Sequence, residues 1–263
     1  MRFPTLCVLA AALSASTIHA QSTDRPPASP TAASDWTFSA GAAVIAAPRY
    51  LGSSDTKIIA IPTFDIRYRD WLFINPVRGV GAEVQLLEGL KGSASIGASL
   101  SERKAKDDAR LKGLGDIGAA AAVRLGLEYD FGNAFVRGKL MSRLGSSNGR
   151  GTLFEAEAGY NVWASRAGVI GLGLQARAMD RKYAQNFFGV SSGQALASGL
   201  PAFEAGSGLQ SVGPFAQLFV PISKDWWFFG RAEYTRLRGD AATSPITQSR
   251  VQTSVLATVS RRF

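Results

Sequence analysis

Two side chains dominate most protein nucleophile and metal chemistry, thiolate and imidazole, and the 263-residue chain holds one of each. Cys7 and His19 both lie in the opening stretch MRFPTLCVLAAALSASTIHAQ, which has the form of a secretory signal: Arg2, an apolar run from Phe3 to about Leu13, then small and polar residues up to Ala20. Cleavage is expected between Ala20 and Gln21, and it removes both residues. The mature chain is then expected to have no disulfide, no Ser-His-Asp or Cys-His nucleophilic site and no His-containing metal site. Paired carboxylates and Ser-Lys arrangements stay formally open, but no motif points to them. No catalytic residue, cofactor or metal ligand is therefore assigned.

The remaining chemistry-bearing residues are charged side chains set at every second position within apolar runs. Arg124 and Glu128 oppose Val123, Leu125, Leu127 and Tyr129, and Arg137, Lys139 and Arg143 oppose Val136, Leu140 and Leu144. Glu155 and Glu157 oppose Phe154, Ala156 and Ala158, while Arg177 opposes Ala176. Asp65, Arg67, Glu83, Arg231 and Glu233 follow the same pattern. Both signs occur, which suits a cross-strand ion-pair network more than a selective pore ringed by one sign. A two-residue Gly132-Asn133 turn sets Glu128 opposite Arg137. A loop centred on Gly149 sets Arg143 opposite Glu155, and the 164–167 turn brings Arg177 to the other side of Glu155. The expected row is Arg143–Glu155–Arg177.

These positions require strands, and the period-two pattern supplies about twelve of them. The pattern ends in RVQTSVLATVSRRF, where Val251, Thr253, Val255, Ala257 and Val259 share a face that continues to the terminal Phe263. Val255, Val259 and Phe263 mark this as the closing strand of an outer-membrane barrel, which must pair with the first strand to abolish both sheet edges. Most segments run ten or more residues, enough to cross a bilayer at a tilt. Short turns (69–70, 88–92, 131–133, 164–167, 222–225) alternate with longer connections (47–56, 102–113, 146–151, 181–208, 237–249), the link at 76–78 being the exception. Trp36, Tyr68, Trp71, Tyr129, Phe131, Tyr160, Trp163, Trp226 and Phe228 cluster at the short-turn ends, as interfacial aromatics do.

The expected organisation is a signal at 1–20, a polar, Pro-rich periplasmic lead at 21–34, and an all-β, antiparallel up-and-down transmembrane barrel at 35–263. Net charge is +9. The basic residues are scattered, so contact with outer-membrane lipid and lipopolysaccharide phosphates is expected, and nucleic acid is not.

The longest non-periodic stretch carries Tyr183, Phe187, Phe188, Gly189 and Val190, followed by Ser198, Gly199, Leu200 and Pro201; earlier stands PRYLG at 48–52. With these elements the chain resembles the MipA/OmpV family of Gram-negative outer-membrane proteins, the family of the MltA-interacting protein. The resemblance implies an outer-membrane barrel without enzymatic activity. For some members it implies a scaffold that joins a murein lytic transglycosylase to a penicillin-binding protein, and for others a porin-like or adhesion-related role. The motif loop at 183–201 is expected to be ordered, its aromatics packing on the barrel rim or in its mouth. Arg261 departs from the apolar residue usual in the closing strand, a charge that costs only about 0–1 kcal/mol at the interface.

Overall fold

The computed structural model describes residues 35–145 and 149–263. The expected signal, its Ala20–Gln21 cleavage point and the lead at 21–34 lie outside the described residues. Twelve strands close into a barrel in which each pairs antiparallel with its neighbours in sequence. They are β1 (Trp36–Pro48), β2 (Thr56–Tyr68), β3 (Leu72–Asn75), β4 (Gly79–Leu87), β5 (Leu90–Ser99) and β6 (Ala120–Phe131), then β7 (Ala134–Arg143), β8 (Gly151–Ser165), β9 (Gly168–Met179), β10 (Gly208–Pro221), β11 (Trp226–Leu237) and β12 (Val251–Arg262).

The ends join through β1 and β12, from Ser39 opposite Arg262 to Ala46 opposite Val255. Beyond the last pair, the Phe263 amide donates to the Phe38 carbonyl at 2.9 Å. Closure leaves neither terminal strand with a bare edge, which the bilayer core could not satisfy.

The alternation read from sequence is the alternation of the wall. Along β12, Val251, Val255 and Val259 are exposed on the outer face while Gln252, Thr258 and Ser260 are buried in the lumen. Exposed Leu125, Leu127, Leu172 and Leu174 continue the same apolar belt. The aromatics near the short turns form a girdle, with Trp36 and Tyr68 at 4.8 Å and Tyr129 and Phe131 at 5.4 Å between ring centroids. The turns carry the geometry that hairpins demand. Arg69 and Asp70 both hold positive φ, 45° and 60°, which matches strand twist as a two-residue mirror-image turn does. Gly132 supplies the same conformation at φ 65° without a side-chain penalty.

Two elements differ from the sequence expectation. β6 begins at Ala120, and the residues before it belong to the outer loops. The alternation at 115–130 reads as one strand with Ile117 on its apolar, lipid-facing side, but Ile117 forms a bridge with Arg103 and is buried, because the chain turns inward over the barrel mouth there. The non-periodic stretch after β9 contains two helices, α1 (Arg181–Phe188) and α2 (Ser192–Ser198). Asp180 caps α1 by accepting from the Tyr183 amide at 2.7 Å. Ser191 and Gln194 close a capping box on α2, and Gly199 ends it in the left-handed region. These signals are local, but the helices are too short to show a 3.6-residue period. A further short helix, α3 (Gly239–Thr243), lies between β11 and β12.

Candidate functional site

Side chains from β6 to β11 meet in the lumen as an eight-membered ion lattice. Arg177 Nε donates to Glu155 at 2.6 Å, and its Nη2 donates to Glu233 at 3.1 Å. Lys139 Nζ lies 3.1 Å from Glu155 and 3.4 Å from Glu157. Arg231 donates to Glu157 and to Glu233, both at 2.7 Å. Arg137 sits 3.0 Å from Glu128 and 3.8 Å from Glu157. Four cations meet four carboxylates, so the lattice is neutral as a unit. All but Lys139 and Glu128 are nine-tenths buried. Removal from water is tolerable only because every charge has an oppositely charged neighbour.

Aromatic rings seat the guanidinium groups. Arg137 stacks over Phe135 at 4.2 Å and Arg231 over Phe215 at 4.0 Å. The rings lie where neighbouring strands have no side chain. A Cβ on Gly159 would approach the Phe135 ring to 2.3 Å, and one on Gly173 would approach the Phe215 ring to 2.5 Å. Asp65, Arg67, Arg78 and Glu83 form a second cluster, in which Arg67 donates to Asp65 at 2.9 Å and Arg78 to Glu83 at 2.8 Å.

Glu128 stands opposite Arg137, and Glu155 opposite Arg177. The expected Arg143–Glu155 pair is incorrect: Lys139 stands opposite Glu155, and Arg143 stands opposite Gly151. The row across three strands is therefore Lys139–Glu155–Arg177. The β7–β8 connection is symmetric about a point two residues before Gly149, which shifts the register by four. Steric fit explains the choice. An added Cβ on Gly151 would lie 2.4 Å from the Tyr183 backbone, so a side chain there would collide with α1.

Arg143 instead ties the outer loops together. Its guanidinium donates to Ser99 Oγ at 2.6 Å, and to the carbonyls of Gly149 at 2.6 Å, Gly118 at 2.8 Å and Ser101 at 2.9 Å. Arg124 donates to the Ala98 carbonyl at 2.7 Å and stands apart from the lattice.

The motif loop covers the extracellular mouth. Tyr183 and Phe187 stack at 4.3 Å and, with Phe188, are buried against Ile117, Met141, Met179 and Leu237. Val190 bridges Phe203 and packs with Tyr50, Leu111, Leu114 and Ile246; Leu200 packs at the edge of that group. Ser198 accepts from the Leu200 amide, and Gly199 is the C-cap of α2. Pro201 is exposed. Other loops lock this cap from above and beside. Arg103 donates to the Phe187 carbonyl at 3.1 Å, Ser244 to the Phe188 carbonyl at 2.6 Å, and Tyr50 to the Ile246 carbonyl at 3.3 Å. Burial pushes the Tyr50 phenol up to about 12, with Asp108 adding to the shift, and draws the Arg103 guanidinium down to about 10. Sequence reading singled out the PRYLG loop that holds Tyr50 but missed Arg103, which sits in charged loop sequence where no local pattern separates it from solvated residues.

A cavity of about 140 Å³ remains beside the lattice. It extends from Tyr183 and Phe187 under the cap, past Ser93 and Ser95, to Lys91 and Glu128 toward the periplasmic end. Among the described residues, no group of three or more His, Cys, Asp or Glu is placed to hold a metal ion.

A closed twelve-strand barrel with an apolar outer belt, an interfacial aromatic girdle and a charged lumen defines an outer-membrane β-barrel protein. Residues 40–263 match the family described as MltA-interacting protein MipA, and the chain belongs to that family. No relative matches among curated proteins. Solved structures similar to it include a NanC porin (9% identity, 86% of this chain and 98% of that one, TM-score 0.40) and the CymD monoaromatic hydrocarbon channel (10%, 87% and 88%, 0.42). Neisserial surface protein A is also similar, at 9% identity over 87% of this chain and 96% of that one, with a TM-score of 0.26.

Proposed function

We propose that this protein is a non-enzymatic outer-membrane anchor that holds a murein lytic transglycosylase, and with it a penicillin-binding protein, at the inner face of the membrane. One observation carries the reading: the lumen is occupied by a neutral, buried ion lattice and roofed by α1, an arrangement that suits a rigid support better than a general pore. The name of the family supplies the class of partner. The described periplasmic turns, such as Arg69-Asp70 and Gly132-Asn133, are short and offer a partner little surface. The lead at 21–34 is thus the first segment to test as the docking element, its Pro-rich sequence suiting reach toward murein. Deleting residues 23–33 while keeping Ala20-Gln21, and confirming assembly by heat modifiability, should reduce recovery of the transglycosylase in an envelope pull-down. Undiminished recovery assigns docking to the turns or the rim. No recovery from wild-type envelopes would defeat the anchor reading itself.

A gated small channel is the second reading, favoured by the cavity that the lattice residues line on one side. Planar-bilayer recordings decide between the two. A silent wild-type protein supports the anchor, and discrete conductance steps support the channel.

A further inference from the structure

β2 is thirteen residues long, and β3 beside it is four. Every residue of β2 pairs with β1, but only Ile66, Arg67 and Tyr68 pair with β3. Among the described residues, no backbone hydrogen bond joins Thr56–Asp65 to anything other than β1. β5 has the matching deficit. Its pairing with β4 ends at Ile96, so Gly97, Ala98 and Ser99 pair only with β6. Two bare strand edges thus flank a notch in the extracellular half of the wall, above the β3–β4 tip at Asn75–Gly79. Such edges are costly in hydrocarbon, where no water replaces a missing strand. Pro62 stands in the bare stretch of β2, the kind of position a strand proline occupies.

The two sides of the notch differ chemically. The β12–β1–β2 wall carries an apolar patch on its inner face at this level: Ile59 and Ile61 pack with Ile45 and Leu256, and Leu100, just past the end of β5, closes onto them. The opposite side presents Arg124. Its Nη2 holds the Ala98 carbonyl, and its Nη1 is buried with no acceptor among the protein's own atoms. That Nη1 lies over Gly97, only 3.3 Å from where a Cβ would stand. On the sill, Arg78 is buried and stacks on Phe73 at 3.8 Å, and its Nη1 likewise has no protein acceptor. The cavity behind takes in Val77, Arg78, Ser95 and Arg124; of the ionisable side chains lining it, seven are Arg or Lys and four are Glu.

We propose that the notch is a lateral entrance from the outer half of the bilayer, and that it admits a single-chain amphiphilic carboxylate. The chain lies on the Ile45–Ile59–Ile61–Leu256 wall, and the carboxylate accepts charge-assisted hydrogen bonds from Nη1 of Arg124 and Nη1 of Arg78, while their Nη2 groups stay on the Ala98 carbonyl and Glu83. Leu100 is the movable leaf of the entrance. This inference is independent of the anchor reading and survives its failure.

Mature protein in phosphatidylcholine nanodiscs, assembled as judged by heat modifiability, is titrated with radiolabelled laurate and with dodecyltrimethylammonium. Laurate should bind saturably and at least tenfold more tightly than the cation, and Arg124→Gln should weaken laurate at least tenfold while Arg124→Lys weakens it less. Equal binding of the two amphiphiles, or an unchanged Arg124→Gln variant, overturns the head-group site. The Ile61→Cys/Leu100→Cys variant tests the entrance. Its oxidised form should take up laurate at least tenfold more slowly than its reduced form. Equal rates, with the disulfide verified by mass, overturn the lateral route.

Discussion

Arg177 and Glu155 face each other across β9 and β8 with a 2.6 Å bond between Nε and a carboxylate oxygen, and both side chains are more than nine-tenths buried. Glu155 also receives Lys139, so one carboxylate compensates two cations. Glu155→Gln keeps the shape and removes the charge. It should lower unfolding stability by about 3–5 kcal/mol, the range for breaking a buried ion pair from one side. Urea unfolding of the barrel in lipid vesicles measures this. A loss under about 1 kcal/mol would mean that water reaches the lattice and screens it.

Arg143 gathers four acceptors, three in the outer loops and Ser99 at the end of β5, and lies 5.4 Å from the Phe187 ring centroid. Arg143→Met should fold as a barrel, because the strand wall is untouched, but should loosen the cap. Proteolysis within 100–119 is expected to accelerate at least tenfold, and any bilayer conductance should rise. An unchanged cleavage rate would show that the aromatic cluster alone holds the cap.

Phe263 completes closure through the hydrogen bond its amide donates to the Phe38 carbonyl and places an exposed ring in the girdle. Its deletion should reduce the heat-modifiable fraction several-fold. Phe263→Ala keeps the backbone bond and should assemble better than the deletion. Equal assembly of wild type and deletion would remove the closing role from this residue.

Tyr50 gives the cap a pH limit. Its folded-state pKa is raised to about 12 by burial, so the protonated phenol contributes stability that is fully present below about 10. That contribution is lost as pH rises through about 12. Absorbance titration of wild type against Tyr50→Phe should therefore show the missing phenolate appearing near pH 12. A difference centred near pH 10 would place Tyr50 in solvent.

What the sequence determined by itself is local in origin. Alternation at Val251–Val259, the Gly132-Asn133 turn and the aromatics beside short turns depend on neighbours a few residues apart. They yielded the barrel class, the strand count and the inward face. They also yielded Glu128–Arg137 and Glu155–Arg177, because a short turn leaves little freedom in register. Tertiary structure decided the rest. The longer β7–β8 loop tolerates several registers at small entropic cost, and the contact of Gly151 with Tyr183 selected the one that gives Glu155 to Lys139 instead of Arg143. Tyr50 and Ile246 meet across 196 positions, which no periodicity could report. The notch follows from a four-residue β3 beside a thirteen-residue β2, and lengths read one strand at a time do not show which edges remain bare.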